Sequence, residues 1–168
     1  MNTREWESKL IEQIPRLRRY ARYLTQDKQS ADDLVQDCLE KAWKKRNTWR
    51  AGSNLRAWLF TIMHNVFLNA LRRKKISDNY LQSQHTTEPE VSDEHNLVLR
   101  DLEICLAKLK PEYREVLILA SVENLTYKEI SEVINAPLGT VMSRLSRGRE
   151  SLREIMSGPT KPKLVRML

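Results

Sequence analysis

Apolar residues near the start of the chain recur at helical spacing: Leu10, Ile11, Ile14, Leu17, Ala21 and Leu24 predict a helix over residues 4–24. Pro15 interrupts the run. A proline inside a helix removes a backbone N–H and crowds the preceding turn, so a break or kink is expected there, leaving one helix or two short ones. A second stripe, Leu34, Val35, Cys38, Leu39, Ala42 and Trp43, predicts another helix with Ser30 as its N-cap and Asp32 and Asp33 in its first turn, where the helix dipole favours acids. Residues 47–54 form a polar loop around Gly52, after which Ser53 or Asn54 caps a third helix running to Lys75. That helix carries Leu55, Trp58, Leu59, Ile62, Met63, Val66, Leu68 and Leu71.

Periodicity stops over residues 76–96, which are polar and acidic and read as a linker. It resumes over residues 97–109, and Pro111 suits the first position of a helix that buries Val116, Leu117, Leu119 and Ala120. Thr126 and Glu129 have the spacing of a capping box for a short helix to Ile134. Residues 135–139 then make a turn, and Thr140 opens a longer amphipathic helix ending near Met156. With no sustained alternation of apolar and polar positions, the expected fold is all-α. Two small helical domains, residues 1–75 and 97–168, are joined by a flexible acidic linker over 76–96, and the C-terminal domain is a helix-turn-helix with a short tail.

A helix-turn-helix places its second helix in the major groove of DNA, with N-terminal side chains at base edges and flanking basic residues on phosphates. The sequence from Pro137 to Arg153 holds Arg144, Arg147, Arg149 and Arg153 against the single acid Glu150. Thr140, Ser143, Arg144, Arg147 and Arg149 are therefore candidate duplex-DNA contacts, divided among helix faces that Val141, Leu145, Leu152 and Ile155 leave free.

Charge sharpens the picture. The 168 residues carry a net charge of +7 with a pI near 9.5, which favours a polyanionic partner. The charge is also sorted: residues 41–75 hold ten Lys or Arg and no acid, whereas 76–96 hold five acids and no base. Basic residues in the first half are interleaved with Trp49, Trp58, Phe60 and Phe67, a pattern suited to single-stranded DNA, whose unstacked bases can lie against rings. Trp43 and Trp58 also lie on apolar stripes, and a core role fits them equally. Cys38 and Cys105 are far apart without a CxxC or Cys/His cluster, and His64, His85 and His95 sit on a basic helix or in the linker. Neither a metal, a disulfide, a cofactor nor a catalytic triad is expected. No continuous apolar run marks a signal peptide or membrane span, so a soluble cytoplasmic protein is expected, with no membrane insertion.

Three segments in order resemble the bacterial RNA polymerase sigma factors of the sigma-70 family, in the small extracytoplasmic-function (ECF) class. "SADDLVQDCLEKAWKK" looks like the family's core-binding helix. "WRAGSNLRAWLFTIMHNVFLNALRRKK" looks like its promoter-melting segment, and "LKPEYREVLILASVENLTYKEISEVINAPLGTVMSRLSRGRESLREI" like its C-terminal helix-turn-helix. The resemblance implies that Asp33, Gln36 and Asp37 grip core RNA polymerase, through clamp helices of its beta and beta-prime subunits. It implies that Gly52, Ser53, Asn54 and Asn65 hold a flipped base of the minus-ten element, with Arg56, Arg72, Arg73, Lys74 and Lys75 on phosphates. The helix from Thr140 would read the minus-thirty-five element through Ser143, Arg144 and Arg147, with Thr126 and Arg149 alongside. Met142, Ser146 and Asn69 depart from the family pattern, so the promoter sequence does not carry over. By the same resemblance Glu88, Glu90, Asp93 and Glu94 thread a polymerase channel in place of phosphates, a flexible tether being the other reading, and an anti-sigma factor is an expected partner. The expected function is recruitment of core polymerase to particular promoters and help in opening them, without catalysis. A stand-alone regulator binding duplex DNA as a dimer, and a nonspecific RNA-binding or structural protein, are the alternatives, and polymerase binding separates the first from both.

Overall fold

The computed structural model describes residues 2–78 and 97–158. Seven α-helices form among them: α1 (Thr3–Thr25), α2 (Lys28–Lys44), α3 (Leu55–Asp78), α4 (Leu97–Ala107), α5 (Pro111–Ser121), α6 (Tyr127–Ile134) and α7 (Leu138–Ser157), with a 3-10 turn at Arg46–Thr48. They divide into two compact units, the first holding α1 to α3 and the second α4 to α7 apart from Glu132–Asn135 at the end of α6. The linker residues Glu88, Glu90, Asp93 and Glu94 and the C-terminal tail lie outside the described residues.

In the first unit α2 packs against both α1 and α3. Leu17, Tyr20 and Ala21 of α1, Ala31, Cys38 and Ala42 of α2, and Leu59, Phe60 and Met63 of α3 are almost wholly buried, with the Tyr20 and Phe60 rings 4.7 Å apart. Of the two outcomes expected at Pro15, the single helix forms: α1 runs unbroken through it. The proline costs roughly 3 kcal/mol in a helix interior. Six buried residues flank it (Trp6, Leu10, Leu17, Tyr20, Ala21 and Leu24), and at roughly 1.5–3 kcal/mol for each large side chain their burial outweighs that cost. Pro15 and Ile11, whose carbonyl loses its partner, are both exposed, so water can satisfy the orphaned oxygen.

The cap of α2 also differs from expectation. Asp27, not Ser30, is the N-cap: its carboxylate accepts from the Ser30 amide at 2.8 Å and the Ser30 hydroxyl at 2.7 Å. These hydrogen bonds, the hydroxyl's first, hold the Asp27 carboxyl below its ordinary range.

The Cys38 thiol is sealed between α2 and α3, its Sγ donating to the Leu59 carbonyl at 3.5 Å, and burial pushes its pKa up to about 12. The stability gained by keeping this thiol neutral is complete below its ordinary value of 9.0 and is lost as pH rises from there toward about 12. We expect Cys38 to resist alkylation at pH 8 in the native protein and to react at once in denaturant. Equal labelling rates in the two states would contradict this burial.

In the second unit α5 supplies Val116, Leu117, Ile118 and Leu119 to a core completed by Cys105 and Leu106 of α4, Ile130 of α6 and Val141 and Leu145 of α7. Helices α5 and α7 meet at Gly148, where a Cβ would lie 3.2 Å from both Leu117 Cδ1 and Tyr113 Cβ. Pro111 occupies the start of α5 as expected. Its fourth residue, Arg114, is buried, with Nη1 directed at the carbonyls of Leu106, Ala107 and Leu109 at 3.3–3.5 Å.

Candidate nucleic-acid interface

The capping box that opens α6 is formed: the Thr126 amide donates to Glu129 Oε2 at 2.8 Å and the Glu129 amide to Thr126 Oγ1 at 3.2 Å. Thr126 is exposed, but its hydroxyl oxygen already accepts a bond in the cap. Asn135 ends the helix with a positive φ of 48°, a conformation asparagine tolerates, and the Ala136 amide returns to the Ser131 carbonyl at 3.1 Å while the Ser131 hydroxyl donates to the Ala136 carbonyl. The turn is therefore shorter than expected. Helix α7 begins at Leu138, not Thr140, because Pro137 already sits at an extended conformation and its carbonyl accepts from the Thr140 and Val141 amides.

Val141, Leu145 and Gly148 form the buried side of α7. With 3.6 residues per turn, Thr140, Ser143, Arg144 and Arg147 share one edge of the side facing water. The Ser143 hydroxyl donates to the Thr140 carbonyl at 3.2 Å, leaving its lone pairs outward. Arg149 is exposed on the other edge, roughly 160° around from Arg147, in line with Met142 seven residues earlier. The predicted set is thus divided between two edges of one helix, and a helix about 10–12 Å across nearly fills a major groove about 12 Å wide. Both edges can reach the walls of a groove.

In the first unit, Asp33, Gln36 and Asp37 are exposed on the side of α2 opposite Ala31, Leu34, Val35, Cys38 and Ala42. Two residues the sequence reading left out share that side: Gln29, whose Nε2 donates to Asp33 Oδ1 at 3.2 Å, and Glu40, which pairs with Lys44. Helical spacing alone would have found both. The loop before α3 is tightened by the Ser53 amide and hydroxyl, which donate to the Arg50 carbonyl at 3.1 and 2.7 Å. Gly52 adopts a φ of 88° with open space where a side chain would project, which only glycine takes without strain. Asn54 is the N-cap of α3, its Oδ1 accepting from the Ala57 amide at 3.2 Å.

Along α3, Trp58, Asn65 and Arg72 are spaced by seven and fall on one stripe, with Asn65 and Arg72 exposed. Arg56 lies roughly half a turn away from that stripe, with its Nε buried, so the structure does not bring it to Asn65. Arg73 is on a neighbouring face, its Nε donating to the Asn69 carbonyl at 3.4 Å. The aromatic residues behave differently from the single-stranded DNA pattern. Trp49 is 91 % buried, with its ring 5.6 Å from Trp6, which in turn meets Trp58 at 5.9 Å, and Phe60 is in the core. Trp43, under the Arg46 guanidinium at 5.2 Å, Trp58 and Phe67 keep partial exposure.

Residues 10–64 match the family described as the Sigma2 domain of PhyR, and residues 99–152 match Sigma-70, region 4. The ECF RNA polymerase sigma factor EcfG of Rhodopseudomonas palustris is 31% identical over 149 residues, covering 88% of this chain and 82% of that protein. The chain belongs to the ECF sigma factor family. The RNA polymerase sigma factor YlaC of Bacillus subtilis is 35% identical over 136 residues, 77% of this sigma factor and 79% of YlaC. The solved sigma factor RpoE of Bartonella quintana, in complex with the anti-sigma factor NepR, superposes with a TM-score of 0.82 at 31% identity, covering 94% of this chain and 99% of that one. As a sigma factor the protein acts in transcription initiation. No helix among the described residues is long and apolar enough to cross a membrane, and among them no cluster of three or more His, Cys, Asp or Glu could hold a metal.

Proposed function

We propose that this sigma factor engages two promoter elements with its two units while holding core RNA polymerase with α2. Residues 1–75 act as region 2, with Asp33, Gln36 and Asp37 on the beta and beta-prime clamp and Gly52, Ser53 and Asn54 at an unpaired minus-ten base, while Asn65, about 16 Å further along α3, meets another position of the element. Arg72 and Arg73 meet the adjoining phosphates. Arg56 keeps at most a peripheral phosphate contact, since its Nε is buried. Residues 97–168 act as region 4 on the minus-thirty-five duplex. The observation that carries the reading is α7, a 20-residue helix that follows a tight turn and sets Thr140, Ser143, Arg144 and Arg147 along one edge, with Ser143 and Arg147 exposed and Thr140 and Arg144 half-buried. The protein works in the cytoplasm as a transcription regulator rather than an enzyme. An anti-sigma factor restrains it, as the complex of RpoE with NepR supports.

Run-off transcription on a fragmented genomic library, with core polymerase and with or without this protein, tests the proposal. Discrete new start sites with shared upstream elements are expected. No new starts, and no co-elution with core enzyme, would instead favour the dimeric duplex-binding regulator. On a promoter so found, Arg147→Ala is expected to weaken upstream binding by about 1–3 kcal/mol and relax preference at one position. An unchanged site preference would remove Arg147 from base reading.

A further inference from the structure

Helix α7 departs from a purely polar recognition surface at its start. Leu138 is 48% exposed and Met142 is 52% exposed, one turn apart on the edge that leads to Arg149. Gly139 between them has nothing within 4 Å of where its Cβ would be, so the flank is open to a close neighbour. Two large apolar side chains left in water at the first and fifth residues of a helix are unfavourable unless something covers them in the working state. Their surroundings specify what that is: Arg149 and Arg153 follow on the same edge, Arg144 and Arg147 lie on the other, and a polyanion is the complementary partner.

Among the groups on a major-groove floor, the C5-methyl of thymine is the apolar one, and apolar side chains contact it. The N-terminal residues of a recognition helix are those that reach base edges. We infer that Met142, flanked by Leu138, reads a thymine methyl in the upstream promoter element, so that this sigma factor selects a thymine at one position by burying its methyl group. The inference rests on the proposed role of α7 in duplex recognition. The thioether's flexible stem lets Met142 adjust to the methyl without a fixed hydrogen-bond geometry. Arg147 on the opposite edge then supplies the polar readout, and the two edges together define the element.

The test uses full-length protein in holoenzyme with core polymerase. Duplexes are selected from a random library, and each thymine of the recovered upstream element is replaced in turn by deoxyuridine, which lacks only the methyl. One replacement is expected to weaken binding about fourfold, the effect of removing one buried carbon. In Met142→Ala that penalty disappears, while thermal stability stays at the parental value because the side chain is outside the core. An upstream element without thymine, or a deoxyuridine penalty that persists in Met142→Ala, overturns the inference alone. A library that yields no shared upstream element overturns the promoter reading and this inference with it.

Discussion

Replacing Arg114 by methionine is expected to cost the second unit about 2–4 kcal/mol, the sum of a lost buried charge-assisted hydrogen-bond set and imperfect refilling of its space. Arg114 is 95 % buried, and its Nη1 is shared among the carbonyls of Leu106, Ala107 and Leu109, at the end of α4 and in the turn that follows. Those oxygens lie at and just beyond the end of α4, where a helix carries partial negative charge; the Leu106 carbonyl also accepts from the Leu109 amide, and the guanidinium adds a charged donor. Burial lowers the guanidinium pKa and the Glu115 carboxylate opposes that shift. Methionine fills similar volume but donates nothing, and the buried Leu109 carbonyl loses the guanidinium.

A unit of roughly 60 residues has only about 3–9 kcal/mol of total stability. The variant should therefore lose much of its upper structure on warming while the first unit melts as before. Calorimetry of the full chain reads both events. Arg114→Lys should recover only part of the loss, because the shorter, non-planar side chain does not carry its ammonium to the place Nη1 occupies. A second-unit transition within about 0.5 kcal/mol of the parent would show that the bonds contribute little.

Arg114 also marks the limit of what sequence pattern reveals. Arginine is seldom buried, so a charge at the fourth position of α5 reads as a solvated residue until the end of α4 is seen beside it. Local signals fared better. The Thr126 and Glu129 box, the Pro111 start and the stripes through Leu34, Val35, Cys38 and Ala42 each depend on residues within one or two turns, and each formed. The Asp27 cap went unseen because Asp27 and Ser30 are both capable caps three residues apart, and only the backbone shows which is acceptor and which donor.

Trp49 belongs to the basic, aromatic-rich pattern suited to single-stranded DNA, yet its ring packs against Trp6. No periodicity links a loop to a helix more than forty residues earlier. Within the candidate interface, helical geometry already contained the separation of Arg149 from Arg147 and of Arg56 from Asn65. Charge composition hid it by treating neighbouring arginines as one patch.

The other large effect is expected from reversing charge on α2, with Asp33→Lys combined with Asp37→Lys. Both side chains are exposed on the side of α2 away from its buried residues, so the substitution removes no core contact. It does discard the Gln29 bond to Asp33, an exposed hydrogen bond of small value. Stability should stay within about 0.5 kcal/mol of the parent.

On the proposed reading, in which α2 meets core polymerase through its acidic and amide groups, two carboxylates become two ammoniums, and like charges at an interface cost several kcal/mol. Holoenzyme affinity should fall by about a hundredfold or more, with a larger defect at low salt than at high salt because screening weakens the repulsion. Upstream duplex binding by the free protein should be unchanged, since α7 is untouched. The single change Gln36→Ala should cost far less, having no charge to reverse. If the doubly reversed protein formed holoenzyme within twofold of the parent at low salt, α2 would not be the polymerase-binding face, and the acidic row formed by Asp33, Asp37 and Glu40 would be only a solvated surface.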